Sequence, residues 1–71
     1  MTINEIIFMQ LRIVRLFSER FFLKVSEVNH IFCEHGIYEL IQEGYGAYHC
    51  GGDEIVYEDV LEILKREGAL A

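Results

Sequence analysis

The N-terminal stretch constrains the fold most, because residues 3–22 form one uninterrupted apolar pattern of helical period. The stretch contains neither glycine nor proline, and Thr2 followed by Glu5 three residues later is typical of a helix-starting capping box. Placed at about 100° per residue, apolar side chains gather on one side and polar ones on the other. We therefore predict a first helix over residues 3–22. Its predicted core-facing stripe consists of Ile6, Ile7, Ile13, Val14, Phe17 and Phe21.

Apolar residues also occur on the polar side of this helix. Phe8 lies beside Arg12 and Arg15 on that side, and Met9 and Leu16 lie at its edge. A helix that is apolar around most of its circumference is either central to a bundle or packed on a partner. Because 52% of only 71 residues are hydrophobic, more apolar surface is present than a small domain hides easily. We expect these five residues to bind a partner, either a second copy in a homodimer or another protein.

Serine and glycine residues mark the ends of three shorter predicted helices. Ser26 is a good N-cap, Gly36 is a typical left-handed C-cap, and Gly68 ends the last apolar pattern. Gly44 and Gly46 are expected to weaken the third helix. The chain should therefore be a single all-α domain over residues 1–71, a compact bundle of about four helices. The predicted helices cover residues 3–22, 27–35, 37–48 and 57–67.

A glycine-rich turn is predicted before the last helix. Residues 44–52 hold four of the six glycines, and residues 44–59 hold three of the four tyrosines. Gly51-Gly52 is a turn signal, and Ile55-Val56 is β-prone but has no second strand to pair with. We expect the glycines to supply positive φ angles, and the side chains around them to brace the turn or to form a recognition surface. The residues assigned to this turn are Tyr45, Tyr48, His49, Gly52 and Asp59.

The charge distribution argues against nucleic-acid binding. Twelve acidic and six basic residues give a net charge of −6, with about +2 on residues 1–24 and −8 on residues 25–71. The predicted helices around Gly36 have the spacing of a helix-turn-helix motif. However, its second helix starts with residues 37–43, which include two glutamates and no lysine or arginine, so phosphates would repel it.

The sequence also gives expectations about location. The apolar run of residues 6–9 is interrupted by Gln10 and Arg12, far short of the roughly 20 residues that span a bilayer. No basic region typical of a signal peptide precedes it. We therefore expect a cytoplasmic protein that makes no membrane contact, with Cys33 and Cys50 as reduced thiols.

Two cysteines and two histidines are candidates for metal or thiol chemistry. Cys33, His35, His49 and Cys50 are ligand types that zinc accepts, but Cys33 and His35 point about 200° apart on a helix. Cys50 paired with either histidine is a conceivable nucleophile and base. So short a chain has little room for a pocket of about 300 Å³. We expect no enzymatic activity, no cofactor and no bound metal, with a metal or thiol site at these four residues as the alternative.

A motif in the second half of the chain resembles a known family. The pattern is Ile41-x-x-x-Tyr45-x-x-Tyr48-His49-x-x-Gly52, followed by Asp59-Val60. It resembles a small bacterial all-helical family catalogued as a domain of unknown function, whose members show Tyr-Asp-x-Leu-His-Thr, a glycine, and then an acidic residue before Ile or Val. The matching residues are Tyr45, His49, Gly52 and Asp59, whereas Gly46, Tyr48 and Cys50 replace the usual Asp, Leu and Thr.

The resemblance implies a helical fold over nearly the whole chain and no specific activity. Genes of that family often lie beside toxin-like ADP-ribosyltransferase domains. The resemblance therefore implies an antitoxin-like or accessory role toward a neighbouring toxin-like protein, as an alternative to self-association.

Overall fold

The computed structural model describes residues 3–70, which fold into four α-helices joined by short turns. No strand occurs within residues 3–70, which confirms the predicted all-α bundle. The predicted N-cap, Thr2, lies outside the described residues. The helices are α1 (Ile3–Phe21), α2 (Val25–Glu34), α3 (Ile37–Gly51) and α4 (Asp53–Arg66).

The core lies between α1 and the other three helices. α1 contacts each of them, and α3 also packs against α2 and α4. Phe17 of α1 is at the centre of the core. Its ring centroid lies 4.6 Å from that of Tyr57 and 5.5 Å from that of Phe32, which it meets edge on. Such aromatic pairs add to the burial of their apolar area. The buried residues are Ile6, Met9, Ile13, Val14, Phe17, Val28, Phe32, Ile37, Ile41, Tyr45, Val56, Tyr57, Val60 and Leu64.

α1 ends in a turn with an unusual residue. Phe22 has a positive φ of 55°, and the N–H of Leu23 donates to the carbonyl oxygen of Ser18 at 3.1 Å. This six-residue closure is that of a Schellman motif, in which glycine is the usual left-handed residue. Phe22 is also 94% exposed. The chain therefore places a large apolar side chain in a strained, solvent-facing position.

α2 begins two residues earlier than predicted. Lys24, not Ser26, is the N-cap residue, and its N–H donates to Glu27 Oε1 at 2.9 Å. Glu27 thus performs the glutamate half of a capping box, which allows the helix to start at Val25. The helix ends at Glu34, and Gly36 has the expected left-handed conformation, with φ of 66°.

The predicted glycine-rich turn is wrong in extent. α3 continues through Gly44 and Gly46 to Gly51, and α4 starts at Asp53 instead of residue 57, so that Gly52 alone separates the two helices. Gly52 has φ of 88° and ψ of 169°, a conformation that essentially only glycine adopts.

Tertiary packing explains the earlier start of α4. Val56 is fully buried although it precedes the predicted last helix, and Tyr57, at the predicted start of that helix, is 5% exposed. Burying a side chain such as Val56 contributes about 1.5–3 kcal/mol, which outweighs the weak β preference of Ile55-Val56. In α3, Gly44 and Gly46 each cost about 1 kcal/mol, and Tyr45 between them is buried at 8% exposure.

Candidate functional site

The exposed side of α1 is the most conspicuous apolar surface of the molecule. We call Ile7, Phe8, Leu11, Arg12 and Arg15 the α1 face. Phe8 and Leu11 are 59% and 58% exposed, and Ile7 is 42% exposed. Phe8, Leu11 and the two arginines line an open groove of about 280 Å³. The α1 face therefore offers apolar contact area bordered by positive charge.

Two of the residues predicted to bind a partner are not on this surface. Met9 is only 2% exposed, and Leu16 is half-buried against the core. At about 100° per residue, both lie on the side of α1 that carries Arg12 and Arg20. Those arginines are paired with Asp53 and Glu54, so the start of α4 lies over this side of α1. The assignment of Met9 as a surface contact is wrong because its side chain is part of the buried core.

Sequence reasoning also missed part of the surface. Ile7 was predicted to face the core, and Leu11 and Ile3 were assigned no role, yet Ile3 is 71% exposed. The available signal was the spacing of residues 3, 7 and 11, which places one apolar side chain per turn along a second stripe. The pattern alone did not say which of the two stripes the other helices cover.

The basic residues of α1 are used in different ways. Arg12 Nε lies 2.7 Å from Asp53 Oδ2, and this hydrogen bond raises the pKa of the arginine, with a smaller contribution from the nearby Tyr45. Arg20 pairs with Glu54, which lowers the pKa of that carboxyl, and its guanidinium lies 4.4 Å above the ring centre of Tyr57. These contacts fix the start of α4 against α1.

Arg15 differs from these two arginines. It is exposed and forms no ion pair within residues 3–70. It is therefore the arginine of the α1 face whose charge is not already matched by a carboxylate of the bundle.

The residues assigned to the turn form two local arrangements. Tyr45 is buried at 8% exposure, and its ring stacks on that of His49 with centroids 5.3 Å apart. Tyr48 is half-buried beside Asp59, and its pKa is raised by this burial and by the neighbouring carboxylate. Tyr48 and Asp59 connect α3 to α4, whereas Tyr45 and His49 both belong to α3. Gly52 itself forms the connection between these helices.

The four candidate metal ligands are not brought together. Within residues 3–70, no group of three or more His, Cys, Asp or Glu side chains is arranged to hold a metal ion. His35 pairs with Glu67 through Nδ1, while Cys33 and Cys50 are both free and exposed. Of the four residues, only Cys50 and His49 are in contact, with Sγ 3.7 Å from Nε2.

No helix in the described part of the chain has the length and apolarity to cross a bilayer.

The fold and the exposed surface identify this protein as a small four-helix bundle with an apolar and basic face on its longest helix. The DUF3791 family, described as proteins of unknown function, matches residues 8–67, and the chain belongs to this family. This confirms the predicted relationship to a family of unknown function. Neither a curated protein nor a solved structure matches the chain significantly. The antitoxin-like role implied by the resemblance stays a prediction.

Proposed function

We propose that this domain is a protein-interaction module that self-associates through the α1 face. One observation carries the proposal. Of the seven exposed large hydrophobic residues in the described part of the chain, four lie in the first half of α1. Contiguous exposed apolar surface on a small domain marks an interaction site. These four residues are Ile3, Ile7, Phe8 and Leu11.

A second copy of the chain suits the charges of this face. In an antiparallel pairing of two α1 helices with Leu11 near the two-fold axis, Arg15 of each copy comes opposite Ile7 and Phe8 of the other. The arginine stem then packs on apolar side chains, and its guanidinium is placed to contact the Phe8 ring. A parallel pairing would instead bring Arg15 against Arg15, which is repulsive.

The pairing of Arg12 with Asp53 also favours self-association. Because the Arg12 charge is matched within its own bundle, only Arg15 adds an unmatched charge to each side of the interface. The repulsion between two copies is correspondingly reduced. One helix face is smaller than the roughly 800 Å² per partner of a standard stable interface, so the dimer should be weak, with a micromolar Kd.

Sedimentation equilibrium over a range of protein concentrations tests the proposal. Leu11→Glu should weaken dimerisation by more than about tenfold, because each copy loses an apolar contact and gains a charge in the interface. Val25→Glu is the matched control, since Val25 is also 58% exposed but lies at the start of α2. This control should leave the Kd unchanged.

Two results would overturn the proposal of self-association through the α1 face. A wild-type protein that stays monomeric at high micromolar concentration excludes self-association. Equal effects of Leu11→Glu and Val25→Glu exclude the α1 face as the contact surface. Circular dichroism of both variants verifies that the four helices remain folded.

A further inference from the structure

The last turn of α3 brings a thiol and an imidazole into contact. Cys50 Sγ lies 3.7 Å from His49 Nε2, and both side chains are exposed. The other ring nitrogen of His49, Nδ1, lies 3.0 Å from the backbone carbonyl oxygen of Tyr45, one turn earlier. A carbonyl oxygen only accepts hydrogen bonds, so Nδ1 carries the proton in neutral His49. Nε2 therefore presents its lone pair to the thiol.

The His49 ring is held in this orientation from both its edge and its face. The hydrogen bond to the Tyr45 carbonyl fixes one edge, and the buried Tyr45 ring stacks on the imidazole at an interplanar angle of 11°. A nucleophile and base pair needs such a third group to orient the base. Residue spacing does not predict this orienting group, because the group is a backbone carbonyl.

The second cysteine lacks this arrangement. Cys33 is also free and exposed, but no histidine contacts it, since His35 pairs with Glu67 and His30 pairs with Glu34. The chain therefore contains two exposed thiols that differ in whether an oriented imidazole lies beside them. This difference makes Cys33 an internal reference for the reactivity of Cys50.

We propose that Cys50 is a thiol–disulfide exchange site, with His49 as its base and a low-molecular-weight disulfide as the co-reactant. His49 Nε2 takes the thiol proton, and the Cys50 thiolate attacks one sulfur of the small disulfide. A mixed disulfide forms between Cys50 and half of the reagent, the original S–S bond breaks, and the other half leaves as a thiolate. The departing thiolate takes the proton from His49, so one disulfide is consumed for each one formed.

Oxidised glutathione serves as the probe, added to the folded protein near neutral pH. Samples are quenched with an alkylating agent at intervals, and peptide mass spectrometry measures the rate at each cysteine. We expect Cys50 to react at least about tenfold faster than Cys33 in the wild type. His49→Gln should bring the Cys50 rate to within about threefold of the Cys33 rate and leave Cys33 unchanged.

Two controls separate this role from a general change in structure. His30→Gln removes an exposed histidine on α2 and should alter neither rate. In concentrated guanidinium chloride, which removes the stacking on Tyr45, the rates of the two cysteines should converge. Equal rates in the folded wild type, or a His49→Gln variant that keeps the fast Cys50 reaction while remaining helical by circular dichroism, would overturn the proposal.

Discussion

Arg12 and Asp53 join the middle of α1 to the first residue of α4 through two hydrogen bonds. Arg12 Nε donates to Oδ2 at 2.7 Å, and a terminal guanidinium nitrogen donates to Oδ1 at 3.2 Å. Asp53 also lies at the positive end of the α4 dipole, where a carboxylate is favourable. The pair thus orients α4 and, at the same time, leaves Arg15 as the unmatched arginine of the α1 face.

Removing this pair should lower stability modestly. Arg12→Gln and Asp53→Asn should each decrease the free energy of unfolding by about 0.5–1 kcal/mol, with the larger loss for Asp53→Asn because its helix-dipole interaction is lost as well. Urea unfolding of both single variants and the double variant gives the coupling energy. Arg15→Gln is the matched control and, at a protein concentration low enough to keep the domain monomeric, should have almost no effect. Equal losses for Arg12→Gln and Arg15→Gln would contradict the assigned role of the pair.

The Arg20–Glu54 pair predicts a pH dependence of stability. Hydrogen bonding to Arg20 lowers the pKa of the Glu54 carboxyl below its ordinary value, so the folded protein holds this proton less tightly than the unfolded chain. The stabilisation is complete above the ordinary carboxyl pKa and disappears as the pH falls through the lowered one.

Unfolding measured between about pH 6 and pH 2.5 tests this dependence. Glu54→Gln should reduce stability at neutral pH and flatten the loss of stability on acidification. Glu43→Gln serves as the control, since Glu43 is exposed and forms no ion pair within residues 3–70. A Glu54→Gln variant with the same acid profile as the wild type would refute the assignment.

Two helical glycines should respond oppositely to alanine. A Cβ added at Gly46 meets no atom within 4 Å, so Gly46→Ala should raise the free energy of unfolding by about 0.5–1 kcal/mol through helix propensity. At Gly44, the added Cβ would lie 2.7 Å from Cε2 of Tyr48 and would push that ring away from its place beside Asp59. Gly44→Ala should therefore raise the free energy of unfolding by less than Gly46→Ala, or lower it. Thermal unfolding distinguishes the two, and an equal gain at both sites would show that Tyr48 moves freely.

Gly52 should be the glycine least tolerant of substitution. Its φ of 88° and ψ of 169° are forced by the direct connection from Gly51 to Asp53. Gly52→Ala should cost about 1–3 kcal/mol, although no atom lies within 4 Å of the added Cβ. The loss is therefore expected from backbone strain alone. Chemical denaturation measures it, and a stability equal to that of the wild type would mean that the turn can adopt another conformation.

At Phe22, introducing a glycine should stabilise the fold, whereas removing the glycine at position 52 should destabilise it. Phe22→Gly relieves the strain of the left-handed conformation and should raise the free energy of unfolding by up to about 1 kcal/mol. The 94% exposed ring contributes little packing that would offset this gain. Phe21→Gly is a contrasting variant. The Phe21 ring stacks on that of Phe17 with centroids 5.8 Å apart, so its removal should destabilise the fold. A destabilised Phe22→Gly variant would indicate that the ring makes contacts that stabilise the fold.

Much of the fold was accessible from sequence because it depends on local geometry. The spacing of Ile6, Ile13 and Phe17 identified buried positions of α1, and Gly36 and Gly68 marked the ends of α2 and α4. These features require only the helical period and the conformational freedom of glycine. The sequence made Cys50 with either histidine a conceivable nucleophile and base, but residue spacing did not indicate which histidine lies beside the thiol. In the structure α3 extends through both residues, and the Tyr45 carbonyl fixes the ring.

Helical periodicity and composition were enough to predict that this chain forms amphipathic helices and that α1 carries more apolar surface than one side can bury. Which side of α1 is covered followed only from the packing of the other helices. Met9 is buried in the core, whereas Leu11 is exposed, and the Arg12–Asp53 and Arg20–Glu54 pairs hold the start of α4 against α1. The packing also decided that α4 begins at Asp53, because Val56 and Tyr57 are buried in the core. Periodicity gives the direction of each side chain around its own helix axis, whereas coverage depends on where the other helices pack.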